Sequence, residues 1–308
     1  MQIVNSLQQI SSSEKIGVLI GNFDGVHLGH QHLIQKFQAK CQAEGLKSCI
    51  VTFMPHPFFI FNPTAISYLI SSYEEKRKLL ADQNLDYCVE ITFDRDFSTL
   101  TAEDFLLKNV FIHSGLSVVF AGYDFGFGSG KNGNYELIKK FCQQRKIYSE
   151  QGVRYELNGE GVSSTVIRNH LKAGEIQAVN SKLGRTFQVS GRVIKGAGRG
   201  KLIGFPTANL DFDVQKIIPA TGVYITNIEI NHMRYQSITN IGRNPTFEQS
   251  KNIHVETHVF SFNRDIYGET VNLFFWEKIR DEVKFKDVND LIKQIEVDCY
   301  KAKEFHRC

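Results

Sequence analysis

Short apolar runs alternate with helical periodicity through the first 184 residues. The runs at 16–20, 48–53, 87–91 and 116–121 have strand length. Between them, apolar positions recur every three or four residues near 28–44, 73–84, 101–113 and 134–145, which predicts helices. The helix opening at Thr101 carries Glu103 and Asp104 in its first turn, where the helix dipole favours acids. Alternation of this kind predicts a parallel sheet covered on both faces, with ligands beyond the carboxyl ends of its strands. His27, His56 and Asp124 each follow such a run, so one cleft can collect them.

From residue 185 the pattern changes. Strand-like runs at 187–194, 223–230, 235–241, 254–262 and 270–276 are punctuated by Asn, Gly and Pro, as at 219–222 and 240–245. One helical stretch follows, at 288–300, with Leu291, Ile292 and Ile295 spaced for a single buried face. The expectation is an α/β, Rossmann-like domain over 1–184, then a small antiparallel β-barrel with a C-terminal helix over 185–308. The connection, 167–184, reads as helical.

Composition narrows the partners. A chain of 308 residues with 42% hydrophobic and 22% charged residues can bury a core in each of two domains. A net charge of +3, with no concentrated basic block, gives no footing for nucleic acid or a membrane surface. The six cysteines lack any metal-ligand spacing and read as thiols in a reducing cytoplasm. The first fifteen residues have neither a basic start nor an apolar core, and no run reaches transmembrane length. A cytoplasmic protein acting on small molecules is expected; oligomeric state is not legible.

The segment from Gly21 to His30, GNFDGVHLGH, joins a strand to a helix start. Its glycines let backbone approach a ligand, and helix-start N–H groups favour an anion. His27 and His30, three apart, can face one side of the first turn. Such a pair could also ligate a metal or simply lie on the surface; the strand before and the helix after favour a triphosphate site, where imidazoles stabilise charge on the α-phosphate and the leaving pyrophosphate. The segment resembles the HxGH signature of nucleotidylyl transferases.

Three further segments extend that site. FMPHP sets His56 between prolines after the second strand, with a phosphate contact as its expected role. GYDFGFGSGK mixes aromatic faces with glycine backbone, suited to a flat heteroaromatic ring, and its Lys131 does not complete a Walker A loop. VSSTVIR opens a helix with hydroxyls, ordinary capping residues, and puts Arg168 one turn on; it resembles the second nucleotidylyl transferase signature, SSTxxR.

A second constellation lies in the other half. Gly198, Arg199, Gly200 and Lys201 form a glycine-rich cationic loop that could wrap a polyphosphate or be a solvated turn. It leads into GFPTAN, where Thr207 and Asn209 offer hard oxygens for Mg²⁺. Glu256, in VETH, is a carboxylate of the kind that orients and deprotonates an attacking alcohol, although an isolated strand Glu would read as surface.

GNFDGVHLGH, FMPHP, GYDFGFG, SSTVIR, GFPTANL, PATGVY, NIGRNPTF, VETH and YGE occur in one order, and over residues 15–299 the chain resembles the bacterial bifunctional riboflavin kinase/FMN adenylyltransferase (FAD synthetase) family. The resemblance implies that the first domain adenylylates FMN to FAD with release of pyrophosphate, and that the second phosphorylates riboflavin to FMN. It gives Gly21, Phe23, Asp24, His27, His30, His56, Ser164, Thr165 and Arg168 to ATP in the first site, and Asp124, Phe125 and Phe127 to nucleotide or flavin. In the second, Thr207 and Asn209 hold Mg²⁺ with ATP beside the glycine-rich loop, Glu256 is the general base and Arg280 closes over the flavin. Riboflavin, FMN and FAD are then substrates and products. One departure stands out: Gly126 replaces the arginine common in DFRFG, and Lys131 or Arg145 could supply the missing cation.

Overall fold

The computed structural model describes residues 1–196, 198–243 and 253–307. The expected segment NIGRNPTF thus lies outside the described residues from Asn244 onward. The chain divides into two compact units, residues 1–65 with 73–163, and residues 66–72 with 164–308.

In the first unit, strands β1 (Gln2–Val4), β2 (Ile16–Ile20), β3 (Lys47–Met54), β4 (Tyr87–Thr92), β5 (Leu116–Ala121) and β6 (Tyr148–Gln151) form one sheet in the order β1-β4-β3-β2-β5-β6. All its pairs are parallel. Its helices are α1 (Leu28–Ala43), α2 (Pro57–Phe61), α3 (Tyr73–Ala81), α4 (Arg95–Ser98), α5 (Ala102–Phe105), which runs into a π turn, and α6 (Tyr135–Gln144). A two-residue hairpin, β7 (Glu156–Leu157) with β8 (Glu160–Gly161), follows. Alternation in the strands divides the core between two faces. Ile16, Val18, Ile20, Cys49 and Val51 meet Phe105, Ile138 and Cys142 on one face. Leu19 and Ile50 meet Leu33, Ile34 and Phe37 of α1 on the other.

The second unit is a closed barrel of β9 (Phe187–Ile194), β10 (Ala208–Phe212), β11 (Gly222–Ile230), β12 (Met233–Arg243), β13 (Ile253–Val259) and β14 (Thr270–Arg280), in the order β10-β13-β12-β11-β14-β9. Every pair is antiparallel. Helices α7 (Ser164–Ala173) and α8 (Ile176–Leu183) send Ile167, Leu171, Val179 and Leu183 into the same core as Phe187, Tyr224, Val255 and Phe275. α9 (Arg199–Leu202) is one turn of the glycine-rich loop. α10 (Val288–Phe305) closes the unit, with Cys299 and Ala302 over Ile225, Ile238 and Phe260.

Inside the barrel lies a chain of hydroxyls. Thr226 bonds Ser237 and Thr239, each at 2.8 Å, and Thr239 bonds Thr257 at 2.9 Å. All four residues are fully buried. Each hydroxyl answers another, so none carries the penalty of about 1–3 kcal/mol for an unmet buried polar group.

Arg280 at the end of β14 pairs with Asp298 of α10 at 2.8 Å, and the carboxylate is 1% exposed. Arg280→Ala would leave that carboxylate buried without its counter-charge, so the second unit should lose about 3 kcal/mol. The fluorescence of Trp276, the chain's one tryptophan, during urea unfolding reads this directly. A loss below about 1 kcal/mol would rank the pair with ordinary surface ion pairs.

Candidate active sites

The sheet order β3-β2-β5 brings the loops holding His56, His27 and Asp124 to the carboxyl ends of three adjacent strands, as the strand–helix pattern predicts. The loop after β2 is tightly folded. Phe23 and Val26 sit at φ 51° and 37° and Gly25 at φ 83°. The ring of Phe23 folds back so that a Cβ on Gly21 would lie 2.9 Å from it. Phe23, Asp24 and His27 are all buried.

His27 caps α1, its Nδ1 accepting from the His30 N–H at 3.2 Å. A neutral ring accepting at Nδ1 carries its proton on Nε2. The two imidazoles stack with centroids 3.6 Å apart and planes 15° from parallel, as three-residue spacing on one helical turn predicts. Gly29 sits close beneath them: a Cβ there would lie 3.2 Å from the His27 ring and 3.3 Å from the Val162 carbonyl, tight enough that a neighbour would have to give way. Val162 thereby brings the residue before Ser163 beside the first turn of α1. His56 repeats the capping geometry on α2, accepting from the Phe58 N–H at 3.1 Å. Its own N–H donates to the Tyr73 hydroxyl at 2.8 Å.

In the loop after β5, Asp124 is exposed while Phe127 is buried in the apolar core. Phe125 stacks on Phe127 and on Phe53, with centroids 5.6 and 6.5 Å away. Gly126 has ordinary van der Waals space around its missing Cβ, the nearest atom being the Lys131 Cβ at 3.5 Å. Arg145 is engaged elsewhere, 5.0 Å from the ring centres of both Phe111 and Phe141. Of the two cations considered as substitutes for the missing arginine, Lys131 is the one beside Gly126.

Ser164 and Thr165 open α7, in the second unit, with Thr165 exposed. Arg168 is buried, lies 3.8 Å over the ring of Tyr68 and donates from Nε to the Tyr68 carbonyl at 2.9 Å. Tyr68 carries no local motif and was invisible in the sequence.

In the barrel, Glu256 stands directly opposite Asn209 on β10 and opposite Asn240 on β12. Val255, inside the barrel, fixes the parity, so these three residues share the outer face. Asn240 belongs to the recognised NIGRNPTF string, but only the barrel register shows that it flanks Glu256. The glycine-rich loop presses on the same place. A Cβ on Gly196 would lie 2.2 Å from the Asn209 Nδ2, and one on Gly200 would lie 3.4 Å from the Thr207 Oγ1. Gly198 starts α9 at φ 70°, and Arg199 and Lys201 are exposed around it. A Cβ on Gly242 would lie 2.9 Å from the Glu282 Oε1 and 3.5 Å from the Asn240 Nδ2, which brings a second carboxylate to the rim. Arg280 is held by Asp298 and lies 5.8 Å from the ring centre of Phe285.

Among the described residues no cluster of His, Cys, Asp or Glu could hold a metal ion by itself. Thr207 and Asn209 are different donors. A hydroxyl and an amide oxygen suit a Mg²⁺ whose remaining positions are filled by phosphate and water.

Residues 9–166 match the family described as FAD synthetase, and residues 183–306 match that described as riboflavin kinase. A bifunctional riboflavin kinase/FMN adenylyltransferase of Buchnera aphidicola subsp. Schizaphis graminum is 34% identical, over 98% of this chain and 97% of its own. Proteins of the same name from Haemophilus influenzae and Escherichia coli K12 are 31% identical over 99% of this chain and 99% and 98% of theirs. A crystal structure described as a macrolide-efflux protein from Streptococcus pneumoniae is 29% identical, covers 98% of each chain and superposes with a TM-score of 0.87. Among the described residues here, no helix is long and apolar enough to cross a membrane.

His258, two residues beyond Glu256, donates from Nδ1 to the Pro206 carbonyl at 2.8 Å and so holds the turn before Thr207. Burial pushes its pKa below the usual histidine value, against the opposing pull of that carbonyl. The unfolded chain takes up this proton near about pH 6.5, whereas the folded barrel resists it. Stability of the second unit should therefore fall as pH drops below about 6.5, and the fall should be smaller in His258→Gln. The Trp276 urea midpoint across pH measures it; identical pH dependence in both proteins would contradict the assignment.

Proposed function

The chain belongs to the bifunctional riboflavin kinase/FMN adenylyltransferase family, making FMN from riboflavin and FAD from FMN, and we propose that residues 185–308 carry the first reaction and residues 1–184 the second. The observation that carries this reading is the cross-strand register that sets Glu256 opposite Asn209. That pairing supports reading Glu256 as the base and Asn209 as a Mg²⁺ ligand, and the stacked His27–His30 pair at the head of α1 supports adenylyl transfer in the first unit.

In the kinase reaction the riboflavin 5′-hydroxyl attacks the γ-phosphorus of ATP as Glu256 takes its proton, and ADP leaves. Thr207 and Asn209 would hold a Mg²⁺, which would offset phosphate charge, Gly198, Arg199, Gly200 and Lys201 wrap the phosphates, and Asn240 flanks Glu256. Arg280, fixed by Asp298, shapes the segment over the flavin rather than reaching for it.

In the adenylyl transfer a phosphate oxygen of FMN attacks the α-phosphorus of ATP, and the bond to the β-phosphate breaks to release pyrophosphate. His27, His30 and the α1 amides stabilise charge on the α-phosphate. Gly21, Phe23 and Asp24 shape the nucleotide site and His56 adds a phosphate contact. Ser164, Thr165 and Arg168 bind the β- and γ-phosphates, with the Arg168 guanidinium pre-ordered by Tyr68. Asp124 and Phe125 border the ring-binding side; Phe127 supports them from the core. Lys131 supplies the cation that Gly126 lacks. The setting is the cytoplasm, where the partners are small molecules rather than nucleic acid or membrane. The buried cysteines fit it: burial pushes the Cys41 and Cys88 thiols up to about 12, which keeps them inert.

Two substitutions separate the sites. His30→Ala should lower FAD formation from FMN by about a hundredfold or more and leave FMN formation from riboflavin within about twofold. Glu256→Gln should do the reverse, by about a hundredfold or more. Chromatography of the products reads both, and equal loss of both products in either variant would contradict two independent sites. Gly196→Ala should displace the Asn209 side chain and raise the kinase KM for Mg²⁺-ATP by about tenfold, without changing FAD formation from FMN. An unchanged KM would remove Asn209 from the ATP site.

A further inference from the structure

Beneath the histidine-bearing loop lies a charge that neither reaction uses. Lys76, on α3, is 5% exposed, and its Nζ donates to the Thr52 Oγ1 at 3.1 Å. Thr52 is fully buried, and its hydroxyl donates in turn to the Asn22 carbonyl at 3.1 Å. The relay therefore ends on the residue before Phe23, where the backbone turns left-handed. A buried ammonium is disfavoured unless opposite charge and hydrogen bonds offset its lost hydration.

Four groups surround Lys76 electrostatically: Asp24 of the histidine loop, Cys88 and Glu90 of β4, and Arg77 of its own helix. Glu90 is already engaged by Arg77 at 2.5 Å. Of the two carboxylates, the buried Asp24, 3% exposed, acts on Lys76 more strongly. Burial lowers the Lys76 pKa, and Asp24 gives the largest opposing pull. One turn earlier on α3, Tyr73 accepts the His56 N–H. One face of a single helix thereby fastens both loops that bring histidines to the site.

We propose that Lys76 is a positioning residue for adenylyl transfer: its ammonium, through the Thr52 hydroxyl and against Asp24, fixes the loop of residues 21–27 and hence the stacked His27–His30 pair. An apolar residue could fill the same space but could neither answer Asp24 nor hold the hydroxyl that grips Asn22. The inference rests on assigning adenylyl transfer to the histidine loop, which His30→Ala tests separately.

The test is a double-mutant cycle in the full-length protein, with Lys76→Met, Thr52→Val and both together. FAD formation from FMN and ATP is followed beside FMN formation from riboflavin, which serves as a control for the second unit, and far-UV circular dichroism confirms that the first unit is folded. Lys76→Met should lower kcat for FAD formation by about tenfold or more, with FMN formation within about twofold of the parent. Thr52→Val should lower it by about threefold, and the double variant should be no slower than Lys76→Met, because both changes cut one link. Losses that multiply, a parallel fall in both products, or Lys76→Met activity within about twofold of the parent would each overturn the proposal. If Lys76→Met does not fold, Thr52→Val decides alone: a loss confined to FAD formation is expected, and no loss overturns it. Failure here with FAD formation still abolished by His30→Ala would sink the role of Lys76 and leave the site standing. Retention of FAD formation by His30→Ala would sink the site itself.

Discussion

The second unit depends on the register of β13 between β10 and β12. Side chains alternate along a strand, so a slip of one residue would carry Glu256 into the core and turn Val255 outward. The hydroxyl chain Thr226–Ser237–Thr239–Thr257 opposes such a slip from inside, because each member would lose a buried partner. Asn209 faces Glu256 through that same register. The placement of Glu256 beside Asn209 is therefore a property of the barrel core. The glycine-rich loop then needs only to lie close, and Gly196 and Gly200 allow it by having no Cβ.

The first unit solves its positioning problem differently. Parallel pairing delivers loops to one edge, but a loop end is not stiff by itself. Here the stiffness comes from capping and stacking. His27 is at once the cap of α1 and one plate of the imidazole stack, and His56 caps α2 while Tyr73 holds its backbone. Arg168 in the second unit is likewise ordered before any ligand arrives, by the face and carbonyl of Tyr68. Side chains held this way have little further freedom to lose.

The apolar runs that became β2, β3, β4 and β5 were legible because strands buried on both faces are apolar throughout. β1 is three residues long and β6 is the polar edge sequence YSEQ, so neither carries such a signal. β10 was hidden within GFPTANL, read for its chemistry and not as a strand. Among site residues, the facing of His27 and His30 followed from helical spacing alone. Long-range partners did not: Tyr68 lies 100 residues from Arg168, and Lys76 looks like one more lysine on an amphipathic helix until the fold buries it. The aromatic loop was half legible. Its phenylalanines read as faces for a flat ring, whereas the structure buries Phe127 in the core and leaves Phe125 at its margin.

The central claim is that one chain carries both chemistries in two constellations. The most direct measurement is chromatographic analysis of products from the purified full-length protein with ATP and Mg²⁺, given riboflavin in one reaction and FMN in another. FMN and then FAD from riboflavin, and FAD from FMN, is the predicted result, and it would also show that Gly126 is tolerated. FMN from riboflavin with no FAD from either substrate would contradict the account and put the fault in the loop around Gly126; no product from either would contradict it altogether.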